Sequence, residues 1–137
     1  MEVRFPGRPV IGRAETNKRI VREFYDLAFN QRDPTSAAAK YLTSGYKQHS
    51  PTVGDGPDAF VEGMGGFLNE LPELHVDFKR FIAEGDLVTV HSQFVPTPGT
   101  RGLAVVDIFR LEAGKIAEHW DVMQEVPEKA LNENTMF

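Results

Sequence analysis

A carboxylate lies within an apolar segment near the end of the chain. The segment reads VVDIFRLEAGKIAEHWD, and Asp107 follows two valines and precedes Ile108 and Phe109. An unpaired charge is costly to remove from water, so an aspartate here should have a partner or a function. A carboxyl group in apolar surroundings suits proton transfer near neutral pH, because desolvation disfavours its charged form. Asp107 is therefore the first candidate for a catalytic acid or base.

His119 and Asp121 follow Asp107 after a turn that contains Gly114. Gly114 in LEAGK favours a three-residue hairpin loop with a bulge, which pairs Asp107 with His119 and puts Asp121 on the same face. A two-residue loop at Ala113 and Gly114 would instead turn His119 away from Asp107. In the first register His119 positions Asp107 or relays its proton, and Asp121 supplies a second carboxylate.

Structural roles are alternatives for each of these residues. Asp107 could pair with Arg101 or Arg110, or face solvent on the open side of the sheet. His119 could be a half-exposed strand histidine, and Asp121 an ordinary polar residue near a strand end.

Other histidines offer further polar candidates. His49 precedes Ser50 and Pro51 at the end of a short extended segment, and His91 lies on the more polar side of its strand. No HxxxH or HxH pair is present, so no metal site is predicted. The serine-nucleophile signature GxSxG is also absent from the sequence.

The composition narrows the possible partners. The 137 residues predict one domain, and the net charge of −5 argues against nucleic acid or an anionic membrane as a partner. The chain has no cysteine, which excludes thiolate catalysis and disulfides. Because the first residues lack a continuous apolar segment, we expect no signal peptide and a cytoplasmic protein.

The hydrophobic pattern predicts an α+β domain with helices on one face of a curved sheet. Asp33 before Pro34 is a helix start signal, whereas Thr16 or Asn17 is expected to cap the first helix. After Pro72 the apolar period changes from helical to alternating, with Ile82 expected on the same face as Val76. The predicted helices span about 16–30, 34–42 and 57–71, and the predicted strands span about 45–50, 74–82, 87–95, 103–111 and 115–125.

The order of these elements and several motifs resemble a known family. The segments YKQHSP and DIFR…GKIAEHWD and the tail NENTMF are similar to the SnoaL-like polyketide cyclases, in particular the bacterial SnoaL-like aldol-condensation proteins. The likeness covers roughly residues 15–137. It implies a cone-shaped α+β barrel, with three N-terminal helices packed on a strongly curved antiparallel β-sheet and a pocket between them. It divides the chain into an arm (1–14), a SnoaL-like domain (15–126) and a tail (127–137).

The same superfamily, which is named after nuclear transport factors, includes ketosteroid isomerase. The segment VVDIFR is similar to the isomerase strand whose Asp donates a hydrogen bond to an enolate oxygen, which implies that role for Asp107. Tyr25, eight residues before Asp33, matches the offset of the isomerase tyrosine. The isomerase base is an Asp before a Pro, where this chain has His49 in KQHSP, so His49 becomes a candidate base or polar pocket residue.

Together these features predict a cofactor-independent acid/base enzyme that acts on a small apolar carbonyl ligand by aldol-type cyclisation or isomerisation. The alternatives are a non-catalytic ligand-binding or dimerisation domain, or a hydrolase or dehydratase. The resemblance also implies a homodimer formed through the sheet. The expected catalytic residues are Asp107, His119, Asp121 and His49, and the expected substrate-binding residues are Tyr25, Phe24, Phe60, Phe67, His91 and Trp120.

Overall fold

The computed structural model describes residues 12–137, so most of the predicted N-terminal arm lies outside the described part. Three helices and a five-stranded sheet form the predicted α+β fold. The helices are α1 (Arg13–Tyr25, continued by one π-helical segment, Asp26–Asn30), α2 (Pro34–Tyr41) and α3 (Pro57–Glu70), and the strands are β1 (Leu42–Gln48), β2 (His75–Glu84), β3 (Leu87–Val95), β4 (Leu103–Glu112) and β5 (Lys115–Glu125).

The helix start signals were right for α2 and wrong for α1. The Asp33 carboxylate accepts a hydrogen bond from the Ser36 backbone N–H at 3.0 Å, with Pro34 in the first turn. Helix α1 starts earlier than expected, because the Gly12 carbonyl already accepts hydrogen bonds from the backbone of Glu15 and Thr16.

The sheet order is β1-β5-β4-β3-β2, and strands β2 to β5 pair antiparallel as predicted. Strand β1 runs parallel to β5, so the sheet is mixed. This pairing brings the end of β1 next to the middle of β5, where Gln48 lies opposite His119. A segment from the first half of the chain therefore reaches the residues around His119.

The β4–β5 hairpin has neither of the two registers expected from its turn. Ala113 and Gly114 have φ angles of 49° and 81°, a two-residue loop in which Glu112 pairs with Lys115. A bulge follows, because Leu111 pairs with Ile116 but Arg110 pairs with Glu118, which leaves Ala117 unpaired.

Because of this bulge, Asp107, His119 and Asp121 share one face of the sheet, as the sequence predicted. Asp107 lies opposite Asp121 rather than His119, and His119 lies opposite Phe109. The side chains of Asp107, Phe109, His119 and Asp121 all lie on the helical side of the sheet. The predicted pairing of Asp107 with His119 is therefore wrong, although the two side chains do share a face.

A second bulge changes the faces of β2. Phe78 pairs with Ser92 while Arg80 pairs with His91, so Lys79 is the extra residue. Beyond it Phe81 is turned towards the helices, and Ile82 is 61% exposed. The expectation that Ile82 shares a face with Val76 is therefore wrong.

The core lies between the helices and one face of the sheet. Phe24 from α1 contacts Phe60 from α3 and Phe109 from β4, with ring centroids 5.3 and 6.0 Å apart. The C-terminal tail is on the opposite face, where the Phe137 ring stacks on His91 at 5.7 Å. The tail therefore does not close the space between helices and sheet. Among residues 12–137, no helix is long and apolar enough to cross a membrane.

Candidate active site

A cavity of about 470 Å³ opens between the helices and the curved sheet. This volume lies within the range of small-molecule pockets. Most of its wall is aromatic or aliphatic, and a polar cluster from β1, β4, β5 and α1 lies at one side. The lining residues of the wall are Phe24, Phe29, Val53, Phe60, Met64, Phe67, Phe94, Leu103, Val105, Phe109 and Met123, and those of the polar cluster are Tyr25, Tyr46, Gln48, Ser50, Asp107, His119 and Asp121.

Asp107 is 3% exposed, and both of its carboxylate oxygens have partners. The Tyr25 hydroxyl donates to Oδ2 at 2.7 Å, and His119 Nε2 lies 2.8 Å from Oδ1. Neither arginine considered as a partner is involved, since Arg110 pairs with Glu118 and Arg101 donates to the Val126 carbonyl. Asp107 thus belongs to a buried hydrogen-bonded group that faces the cavity.

Tyr25 ends α1 and lies against Phe29, Phe78 and Phe94. Burial, with the adjacent charge of Asp107, raises the pKa of Tyr25 well above its ordinary value. The hydroxyl therefore keeps its proton at physiological pH and acts as a donor. Tyr25 is the last residue of α1, so this helix places the donor over β4.

His119 is buried and hydrogen-bonded through both ring nitrogens. Its Nδ1 lies 2.7 Å from Oε1 of Gln48, the last residue of β1. Gln48 Nε2 donates to the Tyr46 hydroxyl at 2.9 Å, and the Ser50 backbone N–H donates to the same Oε1 at 2.9 Å. Burial raises the pKa of Tyr46, which therefore stays protonated as well.

Asp121 is the carboxylate beside this cluster. Burial raises the pKa of Asp121 above its ordinary value, and the charge of Asp107 adds to the increase, whereas His119 and the Ser50 hydroxyl oppose it. Unlike Asp107, Asp121 is only partly buried. It is therefore a carboxylate with an increased proton affinity at the cavity wall.

Seven of the ten predicted site residues line the cavity. They are Tyr25, Phe24, Phe60, Phe67, Asp107, His119 and Asp121.

The placement of His49, His91 and Trp120 in the cavity was wrong. Trp120 and His91 lie between inward-facing neighbours on β5 and β3, so strand alternation turns them to the outer face. His49 stacks on Trp120 with ring centroids 4.7 Å apart, and its Nε2 lies 2.6 Å from Glu118. The hydrogen bonds from His49 and Arg110 lower the pKa of Glu118, so these residues form a separate surface ion-pair group.

Gln48, Tyr46 and Ser50 were missed by the sequence analysis. They lie in YKQHSP, the segment from which only His49 was chosen as a candidate. Alternation along β1 offered a signal, because Tyr46 and Gln48 share the face opposite to Lys47. Their partner His119 could not be deduced, since the parallel pairing of β1 with β5 joins segments 71 residues apart.

One nitrogen or oxygen from each of Asp107, His119 and Asp121 lies within 4.8 Å of the others. Such atoms could approach a cation. However, the His119 nitrogen that faces the carboxylates is hydrogen-bonded to Asp107, so a cation would have to replace that bond.

Comparisons with known proteins agree with this architecture. Residues 21–119 match the family model of the SnoaL-like domain, and the chain therefore belongs to the SnoaL-like family. No protein with a curated description matches the chain by sequence.

Several solved structures share the fold. A protein described as a SnoaL-like polyketide cyclase from Jannaschia sp. CCS1 is 19% identical with a TM-score of 0.69, over 85% of this chain and 91% of that one. TsrD from Streptomyces laurentii is 22% identical with a TM-score of 0.67, over 82% and 90% of the two chains. A protein described as a polyketide cyclase from Bacillus cereus ATCC 10987 is 18% identical with a TM-score of 0.68, over 80% and 74%.

The increased pKa of Asp121 predicts a pH-dependent cost of folding. Because the folded state binds the proton more tightly than the unfolded chain, stability is lost as the pH rises above the ordinary Asp pKa of about 3.9. Asp121→Asn should therefore be more stable than the natural chain at pH 7, and the difference should vanish at acidic pH. Urea unfolding between pH 3 and pH 7 measures this difference. Glu128→Gln, which removes an exposed carboxylate from the tail, is the control and should show no such trend.

Proposed function

We propose that the chain is a cofactor-independent acid/base enzyme that acts on a small, apolar carbonyl compound by aldol-type cyclisation or isomerisation. One observation carries the proposal: the hydrogen-bonded group Tyr25–Asp107–His119 faces a largely apolar cavity beside the partly buried Asp121. General acid–base chemistry needs a proton acceptor with increased proton affinity and a donor for the developing negative charge. The described residues contain both within one cavity.

Asp121 is the better candidate for removing a proton from carbon. Sequence analysis gave this role to Asp107, but both Asp107 oxygens are occupied by Tyr25 and His119. In the proposed reaction Asp121 takes the proton next to the substrate carbonyl, and the enolate oxygen accepts a hydrogen bond from the Tyr25–Asp107–His119 group. The bond between Tyr25 and Asp107, or the one between Asp107 and His119, opens so that its hydrogen turns to the enolate. Asp121 then returns its proton to another carbon in an isomerisation. In an aldol closure the enolate carbon forms a bond to a second carbonyl carbon, and the proton passes to that oxygen.

The charges around the cavity support an uncharged substrate. Among the described residues that line it there are three carboxylates, Asp107, Asp121 and Glu70, and no lysine or arginine. A carboxylate or phosphate on the ligand would lose its hydration without gaining a cationic partner. The aromatic wall instead suits a flat apolar ring system.

Hydrogen exchange next to a carbonyl group tests the proposed chemistry. The protein should accelerate deuterium incorporation at C1 of 2-tetralone, an uncharged bicyclic ketone, above the rate in buffer at the same pH. Asp121→Asn and Asp107→Asn should each lower the enzymatic rate by about 10²-fold or more, the usual size of a general acid–base contribution. Exchange is followed by proton NMR in D₂O.

Glu128→Gln is the matched control and should keep the natural rate, as should protein dialysed against a chelator. Natural rates in both aspartate variants would contradict the proposal. If tetralone binds without any exchange, the alternative of a non-catalytic binding domain is favoured instead.

Ligand charge gives a second test that needs no turnover. The protein should bind 2-acetylnaphthalene at least about tenfold more tightly than 2-naphthoate at pH 7. Only naphthoate carries a negative charge, which the carboxylates of the cavity repel. Glu70→Gln at the exposed end of the cavity should improve naphthoate binding and leave acetylnaphthalene binding unchanged. Titration calorimetry or fluorescence measures both, and equal affinities for the two ligands would refute the charge argument.

A homodimer through the outer face of the sheet is also proposed. Val122 on β5 is 70% exposed and Ile82 on β2 is 61% exposed, and the partly buried Val106 and Ile108 lie between them on β4. Thr89 and His91 of β3 lie between Ile82 and the two β4 residues. Exposed apolar side chains grouped with polar ones in this way are characteristic of an interaction surface. The cytoplasmic location stays a prediction.

Val122→Lys should shift the chain towards the monomer in sedimentation or light-scattering measurements, because a buried lysine would lose its hydration in the interface. Ala39→Lys, which changes an exposed position on α2, should leave the mass unchanged. A natural chain that remains monomeric at high micromolar concentration would contradict the proposed dimer.

A further inference from the structure

The orientation of the Gln48 side chain can be assigned from its partners. The Ser50 backbone N–H can only donate, so the Gln48 atom 2.9 Å away must be the amide oxygen. The amide nitrogen then lies 2.9 Å from the Tyr46 hydroxyl, to which it donates. The backbone N–H of Gln48 is itself held by Asp55 at 2.8 Å, which fixes the end of β1.

This orientation determines which nitrogen of His119 carries a proton. An amide oxygen only accepts, so His119 Nδ1, 2.7 Å from Gln48 Oε1, must be the donor. The tautomer of a histidine is commonly set by the partner of its other nitrogen. Here that partner is a neutral residue of β1 rather than a second carboxylate.

With Nδ1 protonated, the contact between His119 and Asp107 needs one further proton. Nε2 and Oδ1 lie 2.8 Å apart. Either Nε2 carries the proton and donates to the carboxylate, or Asp107 carries it and donates to Nε2. Without that proton two lone pairs would face each other.

We propose that Gln48 is a positioning residue that locks His119 in the Nδ1–H form and so makes the Asp107–His119 pair retain one shared proton. The pair has no net charge wherever the proton resides, so a proton is available at the cavity wall beside Asp121. The role of this proton in catalysis rests on the proposed function, whereas the assignment of the tautomer does not.

The surroundings of His119 are consistent with a neutral pair. The titratable groups that face it are Asp107 on β4, Asp121 on its own strand, Tyr25 on α1 and Tyr46 on β1. Both tyrosine hydroxyls stay protonated and so carry no charge. The Phe109 ring packs against the His119 ring, with centroids 4.8 Å apart. In this cluster only the two aspartates can bring negative charge, and one of them is matched by the shared proton.

Two substitutions distinguish the hydrogen-bond acceptor of the side chain at position 48 from its size. Gln48→Met keeps an unbranched chain of similar length but removes the acceptor, so His119 can change to the Nε2–H form and donate to an ionised Asp107. Gln48→Glu keeps an acceptor oxygen towards Nδ1 and should preserve the natural tautomer.

Nitrogen-15 NMR of histidine-labelled protein measures the tautomer directly, with His119 assigned from a His119→Asn variant. In the natural chain Nδ1 should carry a proton, because it faces the Gln48 amide oxygen. Gln48→Met should change the tautomer ratio at alkaline pH by about tenfold, which corresponds to about 1.4 kcal/mol, the size of one hydrogen bond. Gln48→Glu should give the same histidine spectrum as the natural chain.

A natural chain with Nε2 protonated and Nδ1 bare would overturn the inference, as would an unchanged tautomer in folded Gln48→Met. The tetralone exchange assay then separates this inference from the proposed function. If Asp107→Asn and Asp121→Asn both retain the natural exchange rate while Gln48→Met changes the tautomer, the enzyme proposal fails and the assignment of the tautomer stands. If both proposals hold, the alkaline limb of the exchange rate should move to lower pH in Gln48→Met.

Discussion

The burial of Asp107 is the constraint on which the arrangement of the site depends. A carboxyl group that is 3% exposed is tolerated only when its oxygens are hydrogen-bonded, and its two partners come from different parts of the chain. Tyr25 arrives on α1 and His119 on β5, while Gln48 on β1 holds His119 from behind. These hydrogen bonds therefore tie the first helix and β5 to β4 directly, and β1 to β4 through His119. Stability and chemistry are linked here, because loss of one donor would leave a buried charge without its partner.

Much of the fold could be predicted from local sequence. Apolar periodicity located three helices and the four long strands, and Asp33 with Pro34 marked the start of α2 correctly. The unusual position of Asp107 in an apolar strand indicated the polar side of the cavity, because a buried carboxyl group needs hydrogen-bonding partners beside it. These signals succeed because they depend on residues close together in the chain.

The predictions that failed depended on non-local or subtle backbone features. Nothing in the residues around Ala117 indicates a bulge, yet this unpaired residue determines the register of the β4–β5 hairpin. The parallel pairing of β1 and β5 could not be deduced from either strand alone, so Gln48 was missed. His49 was chosen by analogy with a carboxylate that occupies a similar position in a related fold, but its ring packs on Trp120 outside the cavity. Residue type was informative, whereas side-chain direction required the assembled sheet.

The bulge also bears on how related chains can differ in length. In a regular strand, the loss of one residue exchanges the two faces for every side chain beyond it. In β5 the ladder already passes over Ala117, since Leu111 pairs with Ile116 and Arg110 pairs with Glu118. A relative that lacks this one residue could therefore keep the pairing of Asp107 with Asp121 and the same cavity. A one-residue gap opposite this position in an alignment would be compatible with a conserved site, whereas a gap between residues 118 and 121 would exchange the inward and outward side chains.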